Sequence, residues 1–333
     1  MKKTLLKNIG QLILATAEPP PVARGAEQDN LPLLDNAYVL IEQGKIHSFG
    51  PMEACPRISA EIIDVAGGAV LPAWCDSHTH LVFAASREGE FVDRVKGLSY
   101  QEIAAKGGGI LNSARKLQHR SAQELLEAAA ERLAEVRALG TGAIEIKSGY
   151  GLTVESELKM LRVIQQLKAQ SSLPIKATFL GAHALPVAYK NDRAAYIRLI
   201  TEEMLPNIAK EGLADYIDVF CEKGFFSVEE TQALLQAGAK FGLKPKIHTN
   251  QFNSMGGIQA AIAHDAISVD HLEVVNTEEI EALQRSTTIA TLLPSAPFFL
   301  NDHYPPARKL LQAGIPIALA SDFNPGSSPS GNM

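Results

Sequence analysis

From about residue 67 onward, short apolar runs alternate with amphipathic stretches, and this alternation constrains the fold more than any other feature. Eight runs have the length and apolar content of strands that are buried on both faces. Between them lie stretches of helical periodicity, such as SAQELLEAAAERLAEVRALG and ESELKMLRVIQQLKAQ. Eight strands with intervening helices predict an α/β fold, a (β/α)8 TIM-like barrel, and a doubly wound open sheet is the weaker alternative.

Residues 1–68 show a different pattern, in which short strand-like runs are separated by turn residues and helical periodicity is nearly absent. Gln43-Gly44 predicts a turn between two of these runs, and the run LLKNIGQLILA is interpreted as an edge strand. We therefore expect a small β-sandwich-like domain over residues 1–68 and a barrel over residues 69–333. The sequence ends just after the eighth run, so we expect the C-terminal part of this architecture to be missing.

Composition and charge argue against several classes of function. The formal net charge is -6 and no dense cluster of Lys and Arg occurs, which argues against a nucleic-acid or membrane partner. The sequence contains no apolar run of about 18 residues, the length that a membrane-spanning helix requires. Three cysteines far apart favour a reducing cytoplasm over a disulfide framework.

Polar side chains gather where the apolar runs end. The carboxyl ends of barrel strands meet on one rim, where the active sites of such barrels lie, so we expect these side chains to converge. A single histidine at such a position is more often structural, but five of the nine histidines occur there. The polar residues at the run ends are His78, His80, Lys147 to Tyr150, His183, Glu222, His248, His271 and Asp322.

The strongest chemical motif is His78-Thr79-His80, at the end of the first run. Two histidines at positions i and i+2 of a strand point to the same face, so both can reach one ion. With His248 and Asp322 they form three imidazoles and one carboxylate, a set suited to one zinc or iron ion with a position left for water. Such an ion activates water and polarises a carbonyl, and Asp322 is placed to take the proton of the water.

The number of metal ions stays open at this point. His271, in the motif VDHLE, is either a ligand of a second ion or a hydrogen-bond partner of the water. A two-metal site of this type needs a bridging acid or a carbamylated lysine on the fourth strand, where Glu222 and Lys223 are candidates. We favour one ion, with His271 outside its coordination sphere.

A resemblance to a known family rests on six motifs: HTHLVFAASREGEF, AAKGGGI, EIKSGYGL, TFLGAHALP, SVDHLE and SDFNPGSSP. Together they resemble the imidazolonepropionase family of the amidohydrolase superfamily, from about residue 35 to the end. The resemblance implies hydrolysis of 4-imidazolone-5-propanoate to N-formimidoyl-L-glutamate in histidine degradation. It also implies a homodimer, and a single zinc or iron ion held by His78, His80, His248 and Asp322.

The same resemblance implies roles for individual residues around the metal. Arg87 would pair with the propionate carboxylate, which the planar guanidinium meets bidentately. Asp322 and His271 would orient the attacking water, and His183 or the metal would polarise the ring carbonyl. The further residues that would bind substrate are His183, Tyr150, Gln251, Asn324, Gly326 and Ser327.

Two other functions stay open from the sequence. The first is another amidohydrolase, either a cyclic amidase or an aromatic deaminase. A deaminase would be expected to carry H-x-x-E at the fifth strand, where this chain has Gln251 three residues after His248. The second is an inactive truncated fragment of the family, which the complete ligand set argues against and the early end of the sequence favours.

Overall fold

A computed structural model describes residues 2–18, 20–98, 102–103 and 106–333 of the 333-residue chain. The chain divides into two compact units, Met1–Ala73 and Trp74–Met333. Each unit is described by itself below. Among the described residues, no helix has the length and apolar character that crossing a membrane requires.

The first unit is a mixed sheet of five strands, β1 (Lys3–Ile13), β2 (Leu33–Glu42), β3 (Lys45–Pro51), β4 (Glu61–Asp64) and β5 (Ala69–Val70). The sheet order is β3-β2-β1-β4, and β5 also pairs with β1. The predicted edge position of the first run is wrong, because β1 has an antiparallel partner on one side and parallel partners on the other. The predicted turn at Gln43-Gly44 is confirmed, and both residues have the positive φ that a tight two-residue hairpin requires.

The second unit is built on eight parallel strands, and this confirms the predicted barrel. They are β6 (Trp74–Asp76), β7 (Thr141–Lys147), β8 (Ile175–Ala182), β9 (Tyr216–Cys221), β10 (Lys244–Thr249), β11 (Ser268–His271), β12 (Ile289–Leu292) and β13 (Ile317–Leu319). Neighbours along the chain are neighbours in the sheet, from β6 through to β13.

Backbone hydrogen bonds join the first and the last barrel strands just beyond their ends. The His80 amide donates to the Phe323 carbonyl at 2.9 Å, and the Asp322 amide donates to the His78 carbonyl at 3.0 Å. These two bonds close the barrel at its carboxyl end. They also place the His-Thr-His motif directly beside Asp322.

The first predicted barrel run, GGAVLPAWCDSHTH, divides between the two units. Ala69–Val70 pairs with β1 in the first unit, and only Trp74–Asp76 pairs with β7 in the barrel. Pro72 lies between the two pieces, and proline has no N–H to donate to a neighbouring strand. The first barrel strand is therefore shorter than the apolar run predicts.

Helices alternate with the barrel strands, and those predicted from amphipathic periodicity are confirmed. Ser121 and Ser227 begin two of them with reciprocal serine–glutamate caps, in which the serine hydroxyl accepts a backbone N–H three residues later. The helices span Glu88–Val95, Gly109–Gln118, Ala122–Ala138, Val154–Gln170, Arg193–Arg198, Leu199–Met204 (a π-helix), Leu205–Glu211, Val228–Ala239, Gly257–Ala263, Thr277–Gln284, Ser295–Leu300 and Ala307–Gln312. Short 3₁₀ turns span Gly25–Asp29, Met52–Ala54 and Val187–Tyr189.

Candidate metal and substrate site

The predicted metal ligands converge at the carboxyl end of the barrel. His78 and His80 follow β6, His248 lies near the end of β10, and Asp322 follows β13. All four side chains are buried. The strand ends of a barrel share one rim, and this is why residues far apart in the sequence meet here.

Their donor atoms lie close enough to surround one ion. Asp322 Oδ1 is 3.5 Å from the Nε2 atoms of both His78 and His80, and the Nε2 atoms of His80 and His248 are 3.4 Å apart. The Nε2 of His78 is buried and makes no hydrogen bond with the described residues. A buried imidazole nitrogen without a partner, beside a carboxylate and further imidazoles, fits a site for a divalent metal.

His271 lies beside this group. Its donor atom forms a second compact set with His78 and His248, so His78 belongs to both sets. His271 has a φ of 92°, a left-handed conformation that a histidine rarely adopts. Its Nδ1 lies 3.5 Å from Glu273 Oε1.

The predicted candidates for a bridging ligand, Glu222 and Lys223, do not serve that role. Lys223 is exposed. The carboxylate of Glu222 accepts hydrogen bonds from the backbone amides of Phe252 and Asn253, at 2.9 and 3.2 Å. Glu222 therefore holds the loop that follows β10, and it is not free to join two ions.

Protonation in the site suits cation binding. Burial, reinforced by neighbouring cationic groups, lowers the pKa values of His78 and His80 well below the ordinary histidine value. Neutral imidazoles keep a lone pair for a metal. Burial raises the pKa of Asp322 to about 7. A cation beside this carboxylate would favour its ionised form.

Beneath the metal donors, the barrel contains a layer of charged side chains, of which the sequence pattern indicates only Lys147. We call this set the inner charged layer: Glu145, Lys147, Asp218, Lys246 and Asp270. All five residues are buried. Lys147 and Lys246 each form an ion pair with Glu145, although β7 and β10 are not neighbours in the sheet. Because this contact crosses the barrel, the layer lies in its interior.

Arg87 lies at the side of the cavity that holds the metal donors. The residue is only 6% exposed, and its Nε and Nη1 make no hydrogen bond with the described residues. The carboxylate of Glu90 is 3.7 Å from Nε. A Cβ atom added to Gly326 would lie 1.7 Å from Arg87 Nη2, so the guanidinium occupies space that only glycine leaves free.

His183 and Tyr150 form one wall of the cavity. The ring of His183 stacks on His80 with centroids 5.0 Å apart, and the Tyr150 ring lies 5.3 Å from His183. The Nδ1 of His183 is 3.1 Å from the Gly149 carbonyl, which can only accept. Nδ1 therefore carries the proton, and Nε2 presents a lone pair.

The loop that carries Tyr150 is held by Glu157. Its carboxylate accepts the backbone amides of Gly149, Gly151 and Leu152 at 3.1, 2.7 and 2.9 Å. Glu157 is fully buried, so these bonds replace the water that the carboxylate loses. The sequence shows Glu157 only as a residue of an amphipathic helix, and nothing in that pattern indicates its role in the loop.

The structure brings the other predicted substrate residues to the same cavity. Gln251, Asn324 and Ser327 line it, together with Ile110 and Phe220. The side-chain amide of Asn324 is engaged by its own loop. It donates to the Asp322 carbonyl and Ser327 Oγ, and it accepts from the amides of Gly326 and Ser327. These hydrogen bonds indicate that Asn324 shapes the loop after β13.

Comparison with curated proteins shows the family of the chain. A scan against models of protein families gives no match. The chain is 57% identical over 331 residues to an imidazolonepropionase of Flavobacterium johnsoniae, covering 99% of this chain and 80% of that relative. It is 56% identical over 330 residues to an imidazolonepropionase of Christiangramia forsetii, with coverages of 99% and 80%. The chain belongs to the imidazolonepropionase family.

Solved structures share the fold at much lower identity. A triazine hydrolase variant superposes with a TM-score of 0.72 at 17% identity, covering 99% of this chain and 74% of that chain. A mutant atrazine chlorohydrolase from Arthrobacter aurescens, complexed with zinc and atraton, gives a TM-score of 0.63 at 15% identity, covering 99% and 74%. The likeness shows that the chain shares the barrel fold of these structures.

Membership of the imidazolonepropionase family confirms the predicted resemblance. The chain is a metal-dependent hydrolase that acts on the C–N bond of a cyclic amide. Its buried histidines and Asp322 form a group that could hold the metal. The identity of the metal and the roles of individual residues stay predictions.

Proposed function

We propose that the chain hydrolyses 4-imidazolone-5-propanoate to N-formimidoyl-L-glutamate, a step in histidine degradation. The observation that carries the proposal is the buried guanidinium of Arg87, which lines the cavity of the metal donors. Its Nε and Nη1 make no hydrogen bond with the described residues, and the carboxylate of Glu90 lies 3.7 Å from Nε. Burial of such a group is costly unless a ligand pairs with it. The substrate has a carboxylate for Arg87 and a ring carbonyl to be attacked.

We propose that His78, His80, His248 and Asp322 hold a single divalent ion, zinc or iron. When bound, the ion supplies Lewis-acid polarisation of the ring carbonyl and lowers the pKa of a water molecule. The set of three imidazoles and one carboxylate suits either metal. The zinc in the atrazine chlorohydrolase complex supports zinc as the first metal to test.

The hydrolysis requires a proton to move from water to the ring. The water oxygen adds to the ring carbonyl carbon, and the bond from that carbon to the ring nitrogen then breaks. Asp322 takes the proton that the water loses and delivers it to the departing nitrogen. We propose that His271, whose ring lies 5.3 Å from that of His248, orients the water.

We propose that the substrate is oriented from two sides of the cavity. Arg87 binds the propionate carboxylate, and Tyr150 and Gln251 contact the ring. His183 accepts a hydrogen bond at Nε2, because its Nδ1–H is directed to Gly149. This geometry favours recognition of a ring N–H by His183 over the predicted polarisation of the carbonyl. Ser327 and the backbone at Gly326 complete the site, with Asn324 holding their loop.

We further propose a homodimer that works in the reducing cytoplasm. The predicted resemblance supports the dimer, and three free cysteines support the compartment. Light scattering on the purified protein measures the first point. A molar mass that corresponds to one chain would overturn the dimer and leave the proposed chemistry unaffected.

Gly326→Ala is expected to lower kcat/KM by about 10- to 100-fold, mainly through KM, because its methyl group would displace the guanidinium of Arg87. Steady-state kinetics with the propanoate substrate measures the effect. Gly89→Ala is the matched control, because a Cβ there meets nothing within 4 Å. Equal kinetics of the two variants would contradict the proposed contact between Arg87 and the substrate.

The proposed reaction is tested by following its product in ¹⁸O-labelled water. Enzyme-dependent formation of N-formimidoyl-L-glutamate with one labelled oxygen in the new carboxylate is the expected result. Mass spectrometry detects the added oxygen. If the protein does not accelerate the loss of substrate above the spontaneous rate, the proposed function is wrong.

A further inference from the structure

Two aspartates of the inner charged layer contact the histidines on the side away from the cavity. The Nδ1 of His78 lies 2.6 Å from Asp270 Oδ2, and the Nδ1 of His248 lies 2.9 Å from Asp218 Oδ2. All four residues are buried. Each histidine therefore has one nitrogen toward a carboxylate and the other toward the metal donors.

The carboxylates determine which nitrogen of each ring carries the proton. His78 Nδ1 and Asp270 form a hydrogen bond, and His248 Nδ1 lies at ion-pair distance from Asp218. An ionised carboxylate only accepts hydrogen bonds, so it favours the proton of each neutral ring on the Nδ1 that faces it. Nε2 of each neutral ring then keeps its lone pair. The donor distances to Asp322 and His80 involve these Nε2 atoms. Carboxylate–histidine pairs of this kind orient metal ligands and raise their basicity.

The two lysines of the inner charged layer hold the aspartates in place. Lys147 Nζ donates to Asp218 Oδ2 at 2.8 Å and lies 3.8 Å from Asp270 Oδ2. Lys246 Nζ lies 3.3 Å from the same oxygen of Asp270. Glu145 binds both ammonium groups from the other side, at 2.8 and 2.9 Å. Three carboxylates against two ammonium groups leave one excess negative charge beneath the site for a cation.

We propose that Asp218 and Asp270 are positioning residues that fix the tautomer and ring direction of His248 and His78, with Lys147 and Lys246 holding them in place. The inference rests on the proposed metal site, and it assigns to the inner charged layer the function of preorganising that site. The layer acts through the histidines and does not touch the substrate.

Asp218→Asn is the sharpest test, because both oxygens of Asp218 face donors. Oδ1 accepts the backbone amide of His248 at 3.0 Å, and Oδ2 receives Lys147 Nζ and faces His248 Nδ1. An asparagine of the same shape keeps only one of these acceptors. If its oxygen keeps the backbone amide, its NH₂ faces Nδ1, which must become an acceptor. The proton of His248 then moves to Nε2, the proposed ligand atom.

Two measurements test this prediction without using turnover. In metal-free protein with ¹⁵N-labelled histidine, NMR should show Nδ1–H for His248 in the native chain and Nε2–H in Asp218→Asn. Zinc affinity, from competition with a chromophoric chelator, should fall by about 10- to 100-fold. Asp215→Asn is the matched control, because Asp215 precedes the same strand and, among the described residues, its carboxylate contacts Lys168, Lys176 and the backbone of Ala177, away from the metal donors.

Asp270→Asn provides a contrast within the same layer. Asp270 Oδ1 accepts from the hydroxyl of Ser268, which can rotate and accept from an asparagine NH₂ instead. The oxygen of the asparagine can then stay on His78 Nδ1. We expect this variant to keep the Nδ1–H tautomer of His78 and to lose less zinc affinity than Asp218→Asn.

The outcomes separate this inference from the proposed function. An unchanged His248 tautomer with native zinc affinity in a folded Asp218→Asn protein would overturn the inference alone. Thermal unfolding of the metal-free variant establishes that it is folded. If Asp218→Asn does not fold, the tautomer of His248 in the native protein still tests the inference, because an Nε2–H tautomer there contradicts it. If the native protein itself does not bind zinc or iron, the proposed metal site fails as well.

Discussion

Replacing Asp322 with asparagine is expected to lower kcat by about 10³- to 10⁴-fold, close to the full contribution of general acid–base catalysis. Asparagine has nearly the same shape, but it cannot take a proton from water and return it to a leaving nitrogen. Asp322 lies 3.5 Å from two proposed histidine ligands and lines the cavity, so the same carboxylate is placed for the proposed metal binding and the proposed proton transfer. Steady-state kinetics at saturating substrate measures the loss.

The asparagine variant must be separated from simple metal loss. Zinc content and activity are therefore measured together, with excess metal in the assay. The exposed Asp302→Asn serves as a control for the chemical change and should keep native kcat. A fully metal-loaded Asp322→Asn protein whose kcat stays within tenfold of the native value would show that another group carries the proton.

Replacing Arg87 with methionine is expected to lower kcat/KM by about 10²- to 10³-fold, chiefly by raising KM. Loss of one partner from a buried, hydrogen-bonded charge pair costs roughly 2–5 kcal/mol. Methionine keeps an unbranched stem and removes the charge. The guanidinium makes no hydrogen bond at Nε or Nη1 with the described residues, and its only ion-pair contact among them is Glu90 at 3.7 Å, so these atoms are available to a ligand carboxylate.

A second substrate makes the Arg87 prediction specific. For the native enzyme, kcat/KM of the neutral amide of the propanoate side chain should be about 10²- to 10³-fold lower than kcat/KM of the acid, the same factor as for Arg87→Met. The Arg87→Met variant should hydrolyse the acid and the amide with nearly equal kcat/KM. A double-mutant cycle over enzyme and substrate expresses the lost discrimination as a coupling energy. The exposed Arg120→Met should behave like the native enzyme. If the variant still discriminates between acid and amide as strongly as the native enzyme does, the carboxylate binds elsewhere.

Much of the fold could be predicted because strand and helix leave different periodicities in the sequence. The eight apolar runs and their helices correspond to observed elements. The pairing of β1 could not be predicted, because its partners β4 and β5 lie more than fifty residues away in the sequence. Pro72 indicates a break in the first barrel run, but the apolar content of the run predicts one continuous strand.

The candidate site was predictable where residues stand at strand ends. The inner charged layer was not, because four of its five residues lie within the apolar runs and only Lys147 stands at a run end. Its signal is present as alternating charges within apolar runs, in EIK, KIH and SVDH. Such residues share one face of a strand. Which of them meet across the barrel depends on strand register and tilt, and a single sequence does not carry that information.

The buried glutamates illustrate a second limit of sequence reasoning. Glu222 is a candidate for a bridging ligand from its place at a strand end, although one ion is favoured, and the structure shows that it accepts backbone amides of the next loop. Glu157 holds the Tyr150 loop from within a helix. In both cases the partner is a backbone amide, which every residue type except proline carries, so side-chain identity gives no indication of the contact.

The most direct test of the central claim is removal and return of the metal. That claim is hydrolysis of the imidazolone ring at the site of His78, His80, His248 and Asp322. Loss of ring absorbance is followed for the native protein, for protein treated with a chelator, and after zinc or iron(II) is added back. We expect chelation to lower turnover by about 100-fold or more, and one equivalent of metal to restore it. Undiminished turnover by protein that metal analysis shows to be free of metal would contradict the account.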